Sequence, residues 1–218
     1  IDTFMIGNIG VGELAAVGAA NKVYFIFSII CFGIYSGSSI YVSQYWGIRD
    51  VKNIRKVIAI EMRIGFFLAL FTVVLALVFA PQILHLFVRE PNVVATGASY
   101  LRITCFTYLM TAFSFLMSFN SRAIHNLKGP TLASVLAITV NTVLNYGLIF
   151  GNFHLPRLGV EGAAIATLTA RFVEMLLILG YVYFSEDHPL AVDGATIRRL
   201  DVPLMKRVVK TALPEAMS

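Results

Sequence analysis

Five stretches of this chain, 23–46, 57–80, 98–119, 131–151 and 162–184, are apolar runs of about twenty residues or more. A membrane hydrocarbon core about 30 Å thick is crossed by ~20 helical residues rising 1.5 Å each. Each run is therefore long enough to span, and the five together predict a polytopic α-helical membrane protein. Composition points the same way. Of the 218 residues 58% are hydrophobic and only 13% charged, where soluble domains carry about 25% charged residues; mean hydropathy is +0.79.

The ends extend the pattern. IDTFMIGNIG (1–10) reads as the outer end of a further span, and DVPLMKRVVKTALPEAMS (201–218) as the start of another. The expected organisation is a transmembrane lobe over 1–184, with spans at about 1–10 (partial), 14–46, 57–80, 98–119, 131–151 and 162–184. A polar cytoplasmic linker follows at 185–200, and 201–218 begins a seventh helix. On this reading the chain is a fragment.

Lys and Arg accumulate on cytoplasmic loops. Segment 47–56 holds four, 120–130 two and 185–210 five, whereas the intervening loops hold one each, Arg89 and Arg157. The net charge of +5 is thus explained by topology, with the basic loops cytoplasmic, and calls for no nucleic acid. Cys31 and Cys105 fall inside spans without metal or redox spacing, and read as small buried hydrophobes. The four His residues also lack ligand spacing, and no nucleophile elbow or pair of intramembrane carboxylates is present. An enzyme is disfavoured.

Polar groups at membrane depth carry the functional reading. Counted from the outer ends of their spans, Asp2 lies ~12 Å deep, Asn145 ~9 Å, Asn141 ~15 Å and Arg171 ~14 Å. Ser134, Asn141, Asn145 and Asn152 share a stripe about 40° wide, and Thr167, Arg171 and Glu174 share another. These stripes predict a polar cavity between the first, fifth and sixth spans, with Ser134, Arg171 and Glu174 as candidate lining. Each residue also has a plainer reading. Asn141 and Asn145 equally suit interhelical hydrogen bonding, and Arg171 and Glu174, spaced i,i+3, can neutralise one another. Glu61, Arg63 and Arg102 lie near span ends, where long side chains reach the interface. Lys22 sits beside an expected bend after GELAAVGAAN. Asp2 is different: it is short, has no cation within four residues, and is expensive to hold in hydrocarbon. It is the candidate site for a proton or a monovalent cation, with the asparagines as neutral partners.

In order along the chain, IDTFMIGNIGVGELAAVG, SGSSIYVSQYWG, SRAIHNLKGPTLAS, VNTVLNYGLIFG, LPRLGVEGAAIAT and the seventh-helix approach ending in ALP resemble the multidrug and toxic compound extrusion (MATE) transporters. The resemblance implies the six-helix N-terminal lobe of a twelve-helix, two-lobe antiporter of a bacterial plasma membrane. Such a protein exports cationic or polyaromatic compounds in exchange for H⁺ or Na⁺ and needs no cofactor. By the same resemblance Asp2 and Asn141 match ion-site residues, where Na⁺ would bind, and Thr167 matches a sixth-span threonine. Asn145 stands where some members carry Asp, which leaves this lobe one acid fewer. The alternatives are a lipid-linked saccharide flippase of related fold, and a non-transporting membrane subunit.

Overall fold

The computed structural model describes residues 2–185, 187–198 and 201–217, with side chains for all of these except residue 2 and residues 212–217. Among the described residues the regular structure is helical: α1 (Asp2–Gly7), α2 (Val11–Gly47), α3 (Val51–His85), α4 (Pro91–Thr104), α5 (Thr107–Ala123), α6 (Lys128–Phe150), α7 (Val160–Phe184), α8 (Gly194–Arg198) and α9 (Val202–Met217). Four of these, α2, α3, α6 and α7, are each long and apolar enough to cross a membrane, and α4 with α5 makes a fifth, bent span. The fold is an all-α polytopic membrane bundle.

Local chemistry sets the helix ends. The Asp50 carboxylate accepts the backbone N–H of Asn53 at 3.1 Å, capping the start of α3. Pro91 opens α4 at a position where a missing N–H costs no hydrogen bond. Gly151 ends α6 at φ +79°, and the N–H groups of Gly151 and Asn152 both return to the Gly147 carbonyl, at 2.9 and 3.1 Å. A residue with a side chain is strained in that left-handed conformation. Asn152 therefore lies beyond the end of α6, where its side chain bonds the Tyr146 carbonyl, and it drops out of the polar stripe.

Two sequence expectations change. The bend anticipated near Lys22 is absent, and α2 is one helix of 37 residues, because its Ala-rich start favours helix and contains no proline. Lys22 lies over the Phe87 ring, 5.0 Å from its centroid. The span expected at 98–119 is instead broken into α4 and α5, inclined at 51°. Side chains take over hydrogen bonds at the break: Thr104 donates to the Tyr100 carbonyl at 2.9 Å, and Thr107 to the Thr104 carbonyl at 2.6 Å. Non-helical backbone at membrane depth persists only when its polar groups are satisfied in this way. In α3 the kink has another cause. Pro81 lies inside the helix, and Phe79 two residues before it departs from helical geometry (φ −111°, ψ 19°), as a missing N–H and the proline ring dictate.

The chain forms two compact units, Ile1–Phe27 with Leu70–Met110 and Ser134–Glu174, and Ser28–Ala69 with Thr111–Ala133 and Met175–Ser218. In the first, small residues bring backbones close. A Cβ on Gly97 would stand 3.1 Å from the Ala16 carbonyl oxygen, and one on Gly162 only 2.5 Å from that of Leu148. Such contacts draw helices together where lipid removes the hydrophobic drive. The polarity of the surface fits the same solvent, since Phe67 and Phe71 of α3 are 65% and 63% exposed.

In the second unit the segment after α7 is docked. Arg55 donates to the His188 carbonyl at 3.4 Å, Lys56 pairs with Asp201 at 3.3 Å, and the Tyr41 and Thr211 hydroxyls bond at 2.7 Å. Asp201 is held below the usual carboxylate range by the Leu204 N–H it accepts and then by Lys56. Its place before α9 makes it an N-cap.

Candidate functional site

The site lies in the first unit, where α6 and α7 bring their polar stripes together. Asn145 is fully buried and donates its amide N–H to the Asn141 side-chain oxygen at 3.1 Å, one turn back. Asn141 in turn donates to the Thr167 hydroxyl of α7 at 3.4 Å. A chain of three neutral polar groups thus links the two helices. Amides within hydrocarbon otherwise lack partners, and leaving one unpaired costs roughly 2–7 kcal/mol depending on the reference state.

A charged cluster occupies the neighbouring turns of the same unit. Arg171 Nη1 lies 2.7 Å from Glu174 Oε2, and the Ser134 hydroxyl of α6 donates to Glu174 Oε1 at 2.7 Å. Arg171 Nη2 reaches the Tyr24 hydroxyl of α2 at 3.5 Å. Glu174 is buried, and both its oxygens are engaged. The guanidinium charge is consequently neutralised within the protein. Ser134, Arg171 and Glu174 form one ion-pair network rather than separate lining groups.

Sequence reasoning missed Tyr24. It sits beside an aromatic group in which the Tyr24 and Tyr108 rings lie 6.0 Å apart and Phe27 stacks on Tyr108 at 5.0 Å. Aromatic faces of this kind attract organic cations. Its residue type alone gave no signal, because tyrosines recur throughout the apolar spans.

The backbone of Asp2 lies in α1, but its side chain falls outside the described residues. Asn141, Asn145 and Thr167 are brought together among the described residues. Cys31 and Cys105 are buried free thiols.

Glu61 requires a correction. Placed by sequence near a span end, where its side chain could extend to the interface, it is instead completely buried, and Asn120 of α5 donates to its carboxyl. Helix α5 covers the face of α3 that carries it. Arg102 is exposed and Arg63 half-buried.

The MatE family model matches residues 1–147. Over 213 residues the chain is 27% identical to the probable multidrug resistance protein YoeA of Bacillus subtilis (strain 168), covering 96% of this chain and 46% of that protein. The probable multidrug resistance protein NorM of Bradyrhizobium diazoefficiens is 27% identical over 221 residues, covering 100% of this chain and 46% of the relative. Among solved structures, a MATE protein in the bent conformation matches with a TM-score of 0.89 at 21% identity, over 99% of this chain and 47% of the other. The inward-facing conformation of a multidrug resistance MATE family transporter gives 0.88 at 21% identity, over 99% and 48%. At such identities the structures speak for the fold. The chain spans about half the length of the curated relatives it matches. With a bundle of spanning helices and a family model covering well over half of its residues, the protein belongs to the MatE family of membrane transporters.

Proposed function

We propose that this chain is the N-terminal lobe of a secondary active antiporter that exports cationic or polyaromatic compounds in exchange for H⁺ or Na⁺. Its ion site is centred on Asp2, with Asn141, Asn145 and Thr167 as partners, and Na⁺, if it is the coupling ion, binds at Asp2 and Asn141. The observation that carries this reading is the bonded series from Asn145 through Asn141 to Thr167. It presents neutral oxygen and nitrogen atoms at membrane depth, suited to accompany a carboxylate that takes up and releases a small cation. The half-buried Tyr24 ring, backed by the buried Phe27 and Tyr108, supplies an aromatic face for an organic cation. The remaining half of the full-length protein supplies the second lobe, and the two lobes alternate access by rocking about the bound ion. The protein resides in a bacterial plasma membrane with its basic loops in the cytoplasm.

The flippase alternative calls for a cationic centre to hold pyrophosphate, and Arg171 is already paired with Glu174. The deciding experiment is efflux of a fluorescent cationic dye from cells carrying the full-length gene, wild type against Asp2→Asn at equal membrane level. Wild-type efflux that the substitution abolishes is the expected result, and imposed pH and Na⁺ gradients then identify the ion. Equal efflux by both overturns the ion site. Absence of efflux by the wild type overturns the drug-export reading.

A further inference from the structure

Away from the site just described, the second unit holds a carboxyl that the proposed mechanism does not use. Glu61 lies ten residues into α3, ~15 Å from its start, and is 0% exposed. Asn120 of α5, also 0% exposed, donates its side-chain N–H to Glu61 Oε2 and is itself anchored to the Leu116 carbonyl at 2.9 Å. From α2, Ser38 stands beside the same carboxyl with its hydroxyl bonded to the Ile34 carbonyl at 2.8 Å, and the Tyr35 hydroxyl packs against the next turn of α3. A Cβ on Gly65, one turn beyond Glu61, would collide with the Tyr35 hydroxyl and touch Ala112 of α5. Parts of three helices thus close round one acid.

Three atoms in this cluster, Glu61 Oε1, Asn120 Oδ1 and the Tyr35 hydroxyl, are buried without a hydrogen-bond partner among the described residues. No Lys, Arg or His forms an ion pair with Glu61 there. The titratable groups facing it are Tyr35 and, one turn away on α2, Cys31; α5 presents the neutral Asn120, and Arg63 points about 200° round α3 from Glu61. A buried carboxylate without a cation beside it is neutralised rather than left ionised. A proton on Oε1 does this, and the unpartnered Asn120 Oδ1 offers an acceptor on the residue that already bonds the carboxyl. A metal cation fits less well, because Asn120 aims an N–H at the carboxyl, and no cluster of three acidic, His or Cys groups is present among the described residues.

We propose that Glu61, held by Asn120 and packed beside Ser38 and Tyr35, is a second proton-exchanging carboxyl of the transporter, losing its proton to water on the side of the basic 47–56 loop and regaining it during the transport cycle. This rests on the antiporter reading, to which it adds a second titrating group. The step is a simple ionisation: the Oε1–H bond breaks, the electron pair stays on the carboxylate, and the proton passes to water.

The test uses the full-length transporter in liposomes. Infrared difference spectra between mildly acidic and alkaline buffers should show a hydrogen-bonded carboxyl band that disappears on alkalinisation in wild type and is missing in Glu61→Gln. Adding dye at constant pH should change the same band, and Glu61→Gln should slow pH-driven efflux several-fold. If no Glu61-dependent band titrates, if dye leaves it unchanged, or if Glu61→Gln keeps wild-type efflux, the proposal fails. A band that responds to Na⁺ at constant pH overturns the proton assignment. Should Glu61→Gln not accumulate, Asn120→Leu leaves the acid in place and must shift the band; an unshifted band counts against the proposal. Wild-type efflux unaffected by Asp2→Asn, with the Glu61 band intact, would remove the Asp2 site and leave this one standing.

Discussion

Arg171 and Glu174 are joined at 2.7 Å one turn apart on α7, and Ser134 of α6 donates to the other carboxylate oxygen at the same distance. The acid is buried while about a third of the Arg171 side chain meets solvent. Arg171→Met leaves Glu174 with a charge and no cation. Breaking a buried pair from one side costs about 3–5 kcal/mol, and the partial exposure of Arg171 places this case near ~2–3 kcal/mol. The double variant Arg171→Met with Glu174→Gln should recover most of that loss. Unfolding of the purified protein measures it, and additive losses would falsify the ion-pair account.

Gly162→Ala tests the close approach of α7 to the end of α6. The new methyl would meet the Leu148 carbonyl oxygen, which belongs to a backbone that itself accepts the Leu158 N–H at 2.8 Å. Overpacking of this kind costs typically about 1–3 kcal/mol. A lowered melting temperature is expected; an unchanged one means that the two helices separate freely.

Removing Asn145 breaks the amide series at its buried end. Asn145→Ala takes away the donor to Asn141, which in turn bonds Thr167 of α7, and should lower stability by roughly 0.6–2 kcal/mol, the range for polar side-chain bonds in membranes. Under the antiporter reading it also weakens ion dependence of efflux while leaving membrane level intact. Unaltered ion dependence would confine Asn145 to packing.

His188 gives the segment after α7 a pH dependence. Its ring is nearly buried, packs against Tyr181 with centroids 5.5 Å apart, accepts the Leu190 N–H on Nδ1 at 3.3 Å, and places Nε2 3.3 Å from the Asn126 amide. Burial lowers its pKa from the ordinary 6.5. The unfolded or undocked segment then binds more protons than the docked one in the window between the lowered value and 6.5. Stability of docking accordingly rises with pH through that window, is complete above it, and falls as the pH drops. Hydrogen exchange of residues 187–192 should accelerate below the ordinary histidine range, and His188→Gln should flatten the profile. Acid-independent exchange in the wild type sinks this prediction.

Much of the architecture was legible in the residues themselves. Span length is set by the thickness of hydrocarbon and the rise of a helix, so 131–151 and 162–184 differ from the observed α6 and α7 by only a few residues at the ends. The period of 3.6 put Asn141 and Asn145 on one face and Thr167 with Arg171 and Glu174 on another, and those faces meet. Glycine marked the end of α6, where the expected span stopped at 151. The break between α4 and α5 was not legible, because threonine hydroxyls that replace backbone hydrogen bonds look like ordinary helix residues in a linear sequence.

Burial divides what sequence determined from what tertiary structure decided. Periodicity assigns an angle and a depth to a side chain but does not say which neighbouring helix covers that angle. Ser134, Arg171 and Glu174 lay at cavity-like positions, and packing made them an internally neutralised network. Glu61 lay near a span end, where a long acid ordinarily extends to the interface, and α5 with Asn120 buried it instead. The free energy of a charged group depends on the solvent and partners around it, and these are supplied by segments distant in sequence.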